Sequence, residues 1–177
     1  MAEDECKPVA VSRRIDAAAP DIFAILADPG RHLDLDGSGM LREGASNTTV
    51  IGIGDIFVMK MHNQALGDYE MNNHIVEYEL NRRIGWEPEL RDADLPDGAP
   101  VPVGNRPGQR WSFELMPDGP NATVVTEIYD CSRAPELVRT IVDNGNGWIE
   151  SMAKTLERLA GLCATRPEED GGGHLSS

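Results

Sequence analysis

The chain has 177 residues, of which 16 are Lys or Arg and 30 Asp or Glu, so its net charge is −14; 40% of it is hydrophobic and only 5% aromatic. That length can form one domain with a core of useful size and no covalent staples, and the acidity argues against nucleic acid and disfavours an anionic membrane, since either would need a Lys/Arg surface. No run approaches the ~20 apolar residues of a membrane helix, the opening MAEDECKP lacks the apolar stretch of a signal peptide, and Cys6, Cys131 and Cys163 are too scattered to indicate a zinc site or a redox pair, which suits a reducing cytoplasm.

Along the chain, residues 1–7 are polar and are expected to be flexible. Val9, Val11, Arg13 and Ile15 alternate with Ala10, Ser12 and Arg14, which predicts a strand. Ala19-Pro20-Asp21 opens a helix whose apolar face is Ile22, Phe23, Ile25 and Leu26, and Pro29-Gly30 ends it. Arg31 to Leu35 makes a second short helical piece before Gly37-Ser38-Gly39 breaks it. The period then changes to two. Strands are predicted at Met40–Glu43 and Asp55–His62, the latter with Phe57, Met59 and Met61 on one face. A hairpin loop at Asn63–Asp68 leads into a long strand from Tyr69 to Leu80, on which His74, Val76, Tyr78 and Leu80 share a face. Arg83 to about Glu89, Gln109 to Met116 and Asn121 to Asp130 complete the set; Trp111, Phe113 and Leu115 share a side, and Pro117-Asp118-Gly119-Pro120 is the turn before the last strand.

The remainder is helical. A short helix is predicted over Glu136–Val142. Trp148, Ile149, Met152, Ala153, Leu156, Leu159, Ala160 and Cys163 then form one apolar stripe on a longer helix. Arg166 onward has the composition of a disordered tail. The Pro- and Gly-rich stretch Asp92–Gly108 has little periodicity and is longer than loops in compact domains usually are. It reads either as an inert insertion or as a lid.

Three motifs can be set aside. Asp34-Leu35-Asp36-Gly37-Ser38-Gly39 begins like a calcium loop, but Ala45 stands where the bidentate Glu belongs and strand signals follow, so no metal is expected. Gly52-Ile53-Gly54 has Phe57 at the third glycine position of a dinucleotide fingerprint and no helix after it. No G-x-S-x-G, HExxH or P-loop occurs.

Strand, two short helices, six antiparallel strands and a long helix is the order of the helix-grip fold. The segments VSRRIDAAAPDIFAILADPGRHLDLDGSG, VIGIGDIFVMKM, IVEYELNRRIGWEP and ATVVTEIYDCS resemble its opening strand and helix pair, its G-x-G-x-x-F lead into a strand, its fourth and fifth strands and its final strand. The chain thus resembles the SRPBCC/START superfamily, in its polyketide cyclase/dehydrase-like branch, over most of residues 9–163. The resemblance implies an α+β fold in which a curved seven-stranded antiparallel sheet wraps around a long C-terminal helix. It further implies one helix-grip domain over 8–164, followed by a disordered tail at 165–177, and a cavity between sheet and helix. A cavity of that kind takes a hydrophobic or aromatic small molecule with no organic cofactor, in a monomer or homodimer.

The residues expected to contact such a ligand are Phe57, Met59, Met61, Asn72, Tyr78, Trp86, Trp111, Phe113, Met152 and Leu156. His74, Glu127 and Tyr129 are the candidates for proton transfer in a cyclisation or dehydration. A cavity-facing Glu127 is implied by the resemblance; apolarity alone would turn Val124, Thr126 and Ile128 inward instead, and a shift of one residue exchanges the faces. A non-catalytic carrier or a protein-interaction module are the competing functions. In an up-and-down sheet the loops at Asn63–Asp68, Arg91–Gly108 and Cys131–Pro135 share one rim, which puts the long loop at the expected cavity mouth.

Overall fold

A computed structural model describes residues 5–44, 49–93 and 106–164 of the chain. The expected tail at 165–177, most of the N-terminal segment 1–7 and most of the loop 91–108 lie outside the described residues. The elements are β1 (Val9–Ile15), α1 (Ala19–Leu26), α2 (His32–Leu35), β2 (Leu41–Gly44), β3 (Ile56–Asn63), β4 (Gly67–Glu79), β5 (Arg83–Ala93), β6 (Arg110–Pro117), β7 (Thr123–Asp130), α3 (Glu136–Ile141) and α4 (Ile149–Ala164). They follow the order that the period changes predict.

The seven strands form one antiparallel sheet in the order β1-β7-β6-β5-β4-β3-β2. β2 to β7 are sequential neighbours, whereas β1 pairs with β7. The α1–α2 segment therefore crosses from one sheet edge to the other. Two irregularities bend the long central strands: the register slips between Ile75 and Glu77 in β4, and again where Glu70 and Met71 face β5. Such bulges sharpen twist and curvature. Gly85 sits in the bend, where a Cβ would come within 2.8 Å of the Ser112 hydroxyl. The curl gives the sheet an inner and an outer face.

α4 lies on the inner side, and its close strand neighbours are β1 and β7. Met152, Leu156 and Leu159 are its buried stripe. That stripe is narrower than the sequence suggested: Ile149 is 42% exposed and Ala153 is exposed, while Ser151 and Thr155 are half-buried beside Gly37. Gly37 anchors α2 to α4. A Cβ there would meet the Ser151 carbonyl at 2.1 Å, and its N–H donates to Thr155 Oγ1 at 3.1 Å.

The main core joins α1, the inner faces of β3 to β7, and Leu156 and Leu159 of α4. A smaller cluster holds Tyr129, Cys131, Ala134 and Met152. It also brings together two thiols that looked unrelated in sequence: Cys6 Sγ lies 3.7 Å from Cys131 Sγ, because the segment leading into β1 runs beside the end of β7. Both cysteines are free. On the outer face, Glu77 joins Arg83, Arg110 and Ser112 across β4, β5 and β6. Burial alone would raise the Glu77 carboxyl, but hydrogen bonds from Arg83 and Ser112 and the charges of Arg83 and Arg110 hold it below its usual range.

Candidate functional site

Because α4 sits over the β1–β7 side, the part of the inner surface of β3 to β6 beyond the core is left uncovered, and a cavity of about 390 Å³ opens there. Met59 and Met61 of β3, Tyr69, Met71 and Asn73 of β4, Trp86, Pro88 and Leu90 of β5, and Trp111 and Phe113 of β6 form its sheet wall. Met152 and Thr155 of α4 form the opposite wall, and His32, Leu35 and Asp36 close one end. All three tryptophans of the chain, Trp86, Trp111 and Trp148, line it. At the rim lie Asn63 and Leu66, Pro107 and Gln109, and Val138 and Ile141 of α3. These belong to, or adjoin, the three loops expected to share one end. Gly108 holds two of them together: it has φ +79°, and a Cβ there would be 2.4 Å from the Arg133 carbonyl oxygen.

On β7, Thr123, Val125, Glu127 and Tyr129 are the buried positions, and the β-branched alternates Val124, Thr126 and Ile128 are half-buried on the outer face. Glu127 thus lines the cavity, at 5% exposure, and its Oε2 is buried without a hydrogen-bond partner. Burial, with a smaller contribution from the negative Asp36, pushes the Glu127 carboxyl up to about 8, so it carries its proton at neutral pH. Asp36 itself is engaged in a turn. Its carboxylate accepts from the Ser38 N–H at 2.9 Å, the Ser38 hydroxyl at 2.5 Å and the Leu41 N–H at 2.8 Å. That clamp is what the calcium-like sequence builds.

Tyr129 is buried behind the cavity wall, tilted against Trp111 with ring centroids 4.5 Å apart, and its hydroxyl donates to the Gln109 side-chain carbonyl. Burial raises its phenol further above its usual range. The Cys131 thiol is pushed up to about 11, by burial first and then by Cys6.

Other expected residues fall elsewhere. His74 and Asn72 face outward, where both contact Glu89 Oε1 at 3.2 Å. The expectation that they enter the cavity is corrected by register: their neighbours Asn73 and Ile75 point inward instead. The bulge at Val76 then turns Tyr78 to the inner side, against Phe23 at 5.4 Å and away from the cavity. His74 and Tyr78 therefore do not share a face. Phe57 and Leu156 are inner core residues that do not line the cavity.

His32 was not anticipated. It is buried, stacks on Trp86 at 5.6 Å, and its Nε2–H donates to the Leu26 carbonyl at 2.8 Å. Burial lowers its pKa, so the ring is neutral and Nδ1 keeps a lone pair. Its spacing from Leu35, three residues along one helical turn, was the available signal. For Asn73 the signal was its parity with Tyr69, Met71 and Ile75.

A curled antiparallel sheet gripping one long helix over a cavity defines the helix-grip fold. No family model matches the chain. In sequence it is similar to the uncharacterized protein Rv0088 of Mycobacterium tuberculosis, 31% identical over 160 residues that span 89% of this chain and 61% of that protein. The chain thus spans about three fifths of the length of the curated relatives it matches. In structure it is similar to a protein from Arthrobacter aurescens, with TM-score 0.65, 17% identity, and coverage of 98% of this chain and 97% of that one. It is also similar to norcoclaurine synthase from Thalictrum flavum, solved in complex with dopamine and hydroxybenzaldehyde. There the TM-score is 0.56 and the identity 15%, over 92% of this chain and 89% of that one. Among the described residues no helix is long and apolar enough to cross a membrane.

Proposed function

We propose that residues 8–164 act as one ligand-binding unit that takes a hydrophobic or aromatic small molecule into the cavity between the sheet and α4. The observation that carries this reading is the cavity itself, about 390 Å³, walled by methionines, tryptophans and leucines. Apolar lining with a few convergent polar groups is the usual make-up of a small-ligand site, and methionines let such a wall adapt its shape. The norcoclaurine synthase likeness is in keeping with aromatic guests.

Catalysis of the polyketide cyclase/dehydratase kind is the second reading, favoured by Glu127. A carboxyl that keeps its proton at neutral pH can donate it to a carbonyl oxygen held nearby and take one back later. Folding a flexible poly-carbonyl chain into a shaped cavity would supply the rest through proximity. In this reading Tyr129 positions Gln109 at the rim, and His74, facing outward, has no part.

Titration with flavonoids, neutral lipids and aromatic polyketide mimics, read by tryptophan emission, tests the binding. Because every tryptophan lines the cavity, a bound guest is expected to quench or shift the emission and to raise the melting temperature. Silence across the whole panel would replace the proposal with a protein-interaction module. Cyclisation of a poly-β-ketone mimic that Glu127→Gln leaves unchanged would reduce the protein to a carrier.

A further inference from the structure

Resting on that cavity reading, the charge inventory of the wall narrows the class of ligand. Among the described residues that line it there is no Lys and no Arg; the titratable groups are Asp36, Glu127, His32 and, at one side, Tyr69. Asp36 is a carboxylate whose two oxygens accept hydrogen bonds within its own turn. The His32 Nε2–H is committed to the Leu26 carbonyl. Asn63 Nδ2 donates to the Tyr69 hydroxyl at 3.3 Å. The Glu127 carboxyl has a buried oxygen with no partner, whereas the Trp148 indole N–H is directed at the neighbouring Tyr129 hydroxyl. Native interiors rarely leave a buried carboxyl oxygen unpaired.

A carboxylate guest would be buried beside Asp36 with no cation to meet it, and burying an unpaired charge is the costliest arrangement available. An ammonium guest would meet either Asp36, whose two oxygens already accept three hydrogen bonds from Ser38 and Leu41, or Glu127, which it would have to ionise; in both cases desolvation inside an apolar chamber opposes the Coulombic gain. An uncharged oxygen suffers neither penalty and accepts from the Glu127 carboxylic acid.

We infer that the cavity selects an uncharged ligand carrying a hydrogen-bond-accepting oxygen, a ketone, phenol or ester on an apolar or aromatic body, which Glu127 contacts directly, and that it rejects carboxylates and amines of the same shape.

The test compares four naphthalene probes by tryptophan quenching of the full chain at neutral pH: naphthalene, 2-acetylnaphthalene, 2-naphthoate and 2-naphthylmethylammonium. The ketone is expected to bind about tenfold or more tightly than either ion, the margin typical when a buried polar group loses its partner. Glu127→Leu is expected to remove the ketone's advantage over naphthalene, while Glu127→Gln, whose amide can still donate, retains most of it. The inference is overturned if 2-naphthoate or the ammonium binds as well as the ketone to the unaltered protein, a comparison that needs no variant to fold. It is equally overturned if Glu127→Leu keeps the ketone preference. Naphthalene binding without any preference would refute the selectivity and leave the cavity reading standing; failure of all four probes would remove both.

Discussion

Folding moves the Glu127 carboxyl from water, where it ionises near 4.5, to a site where it holds its proton up to about pH 8. Between those values the folded chain binds a proton that the unfolded chain has released. Stability therefore falls as pH rises through that window, by up to about 1.4 kcal/mol per pH unit, and the loss is complete above the folded value. Glu127→Gln removes the titration. Urea unfolding at pH 5, 7 and 9 is expected to show the variant gaining on the unaltered protein toward pH 9; parallel pH profiles would mean that the carboxyl is not buried. This residue also marks the limit of the sequence reading. Hydrophobicity along Thr123–Asp130 favours the wrong face, since Val124, Thr126 and Ile128 outrank Thr123, Glu127 and Tyr129 in apolarity. Only the resemblance pointed to the inward set. For His74 the same ambiguity went the other way, and His32, on a four-residue helix, carried too short a pattern to be noticed.

At the scale of elements, periodicity located the strands and helices within a few residues because each buries one face on a common interior. It did not locate the bulges. Those residues break the alternation without a distinctive composition, and each moves every later side chain to the other face. Tyr78 and the outward His74 are separated for that reason. Helix α4 shows the converse case. Its stripe was visible, but which flank met the sheet was not, since Ile149 and Ala153 look as apolar as Met152. Leu156, at 1% exposure in the main core, gives the check. Leu156→Ala is expected to cost about 2–5 kcal/mol in chemical denaturation; a loss below about 0.5 kcal/mol is what a surface position would give, and would mean that the helix grips the sheet through another face.

The cavity belongs to the whole molecule and to no single segment. Its existence follows from α4 covering β1 and β7 while bulged β4 and β5 curve away. Element order in the sequence implied such a space, but its depth and charge depend on packing between residues far apart in the chain. The same arrangement has a kinetic corollary. Five of the six ladders join strands adjacent in sequence, but Val9 has to find Tyr129 and Ile15 has to find Thr123. During synthesis the first strand waits, without a hydrogen-bonding neighbour, until more than a hundred further residues have been made. Contacts of such long separation slow the search, so refolding after dilution from denaturant is expected in the millisecond-to-second range typical of β-rich topologies. A single microsecond relaxation in stopped-flow or temperature-jump records would show that this ladder does not limit the reaction.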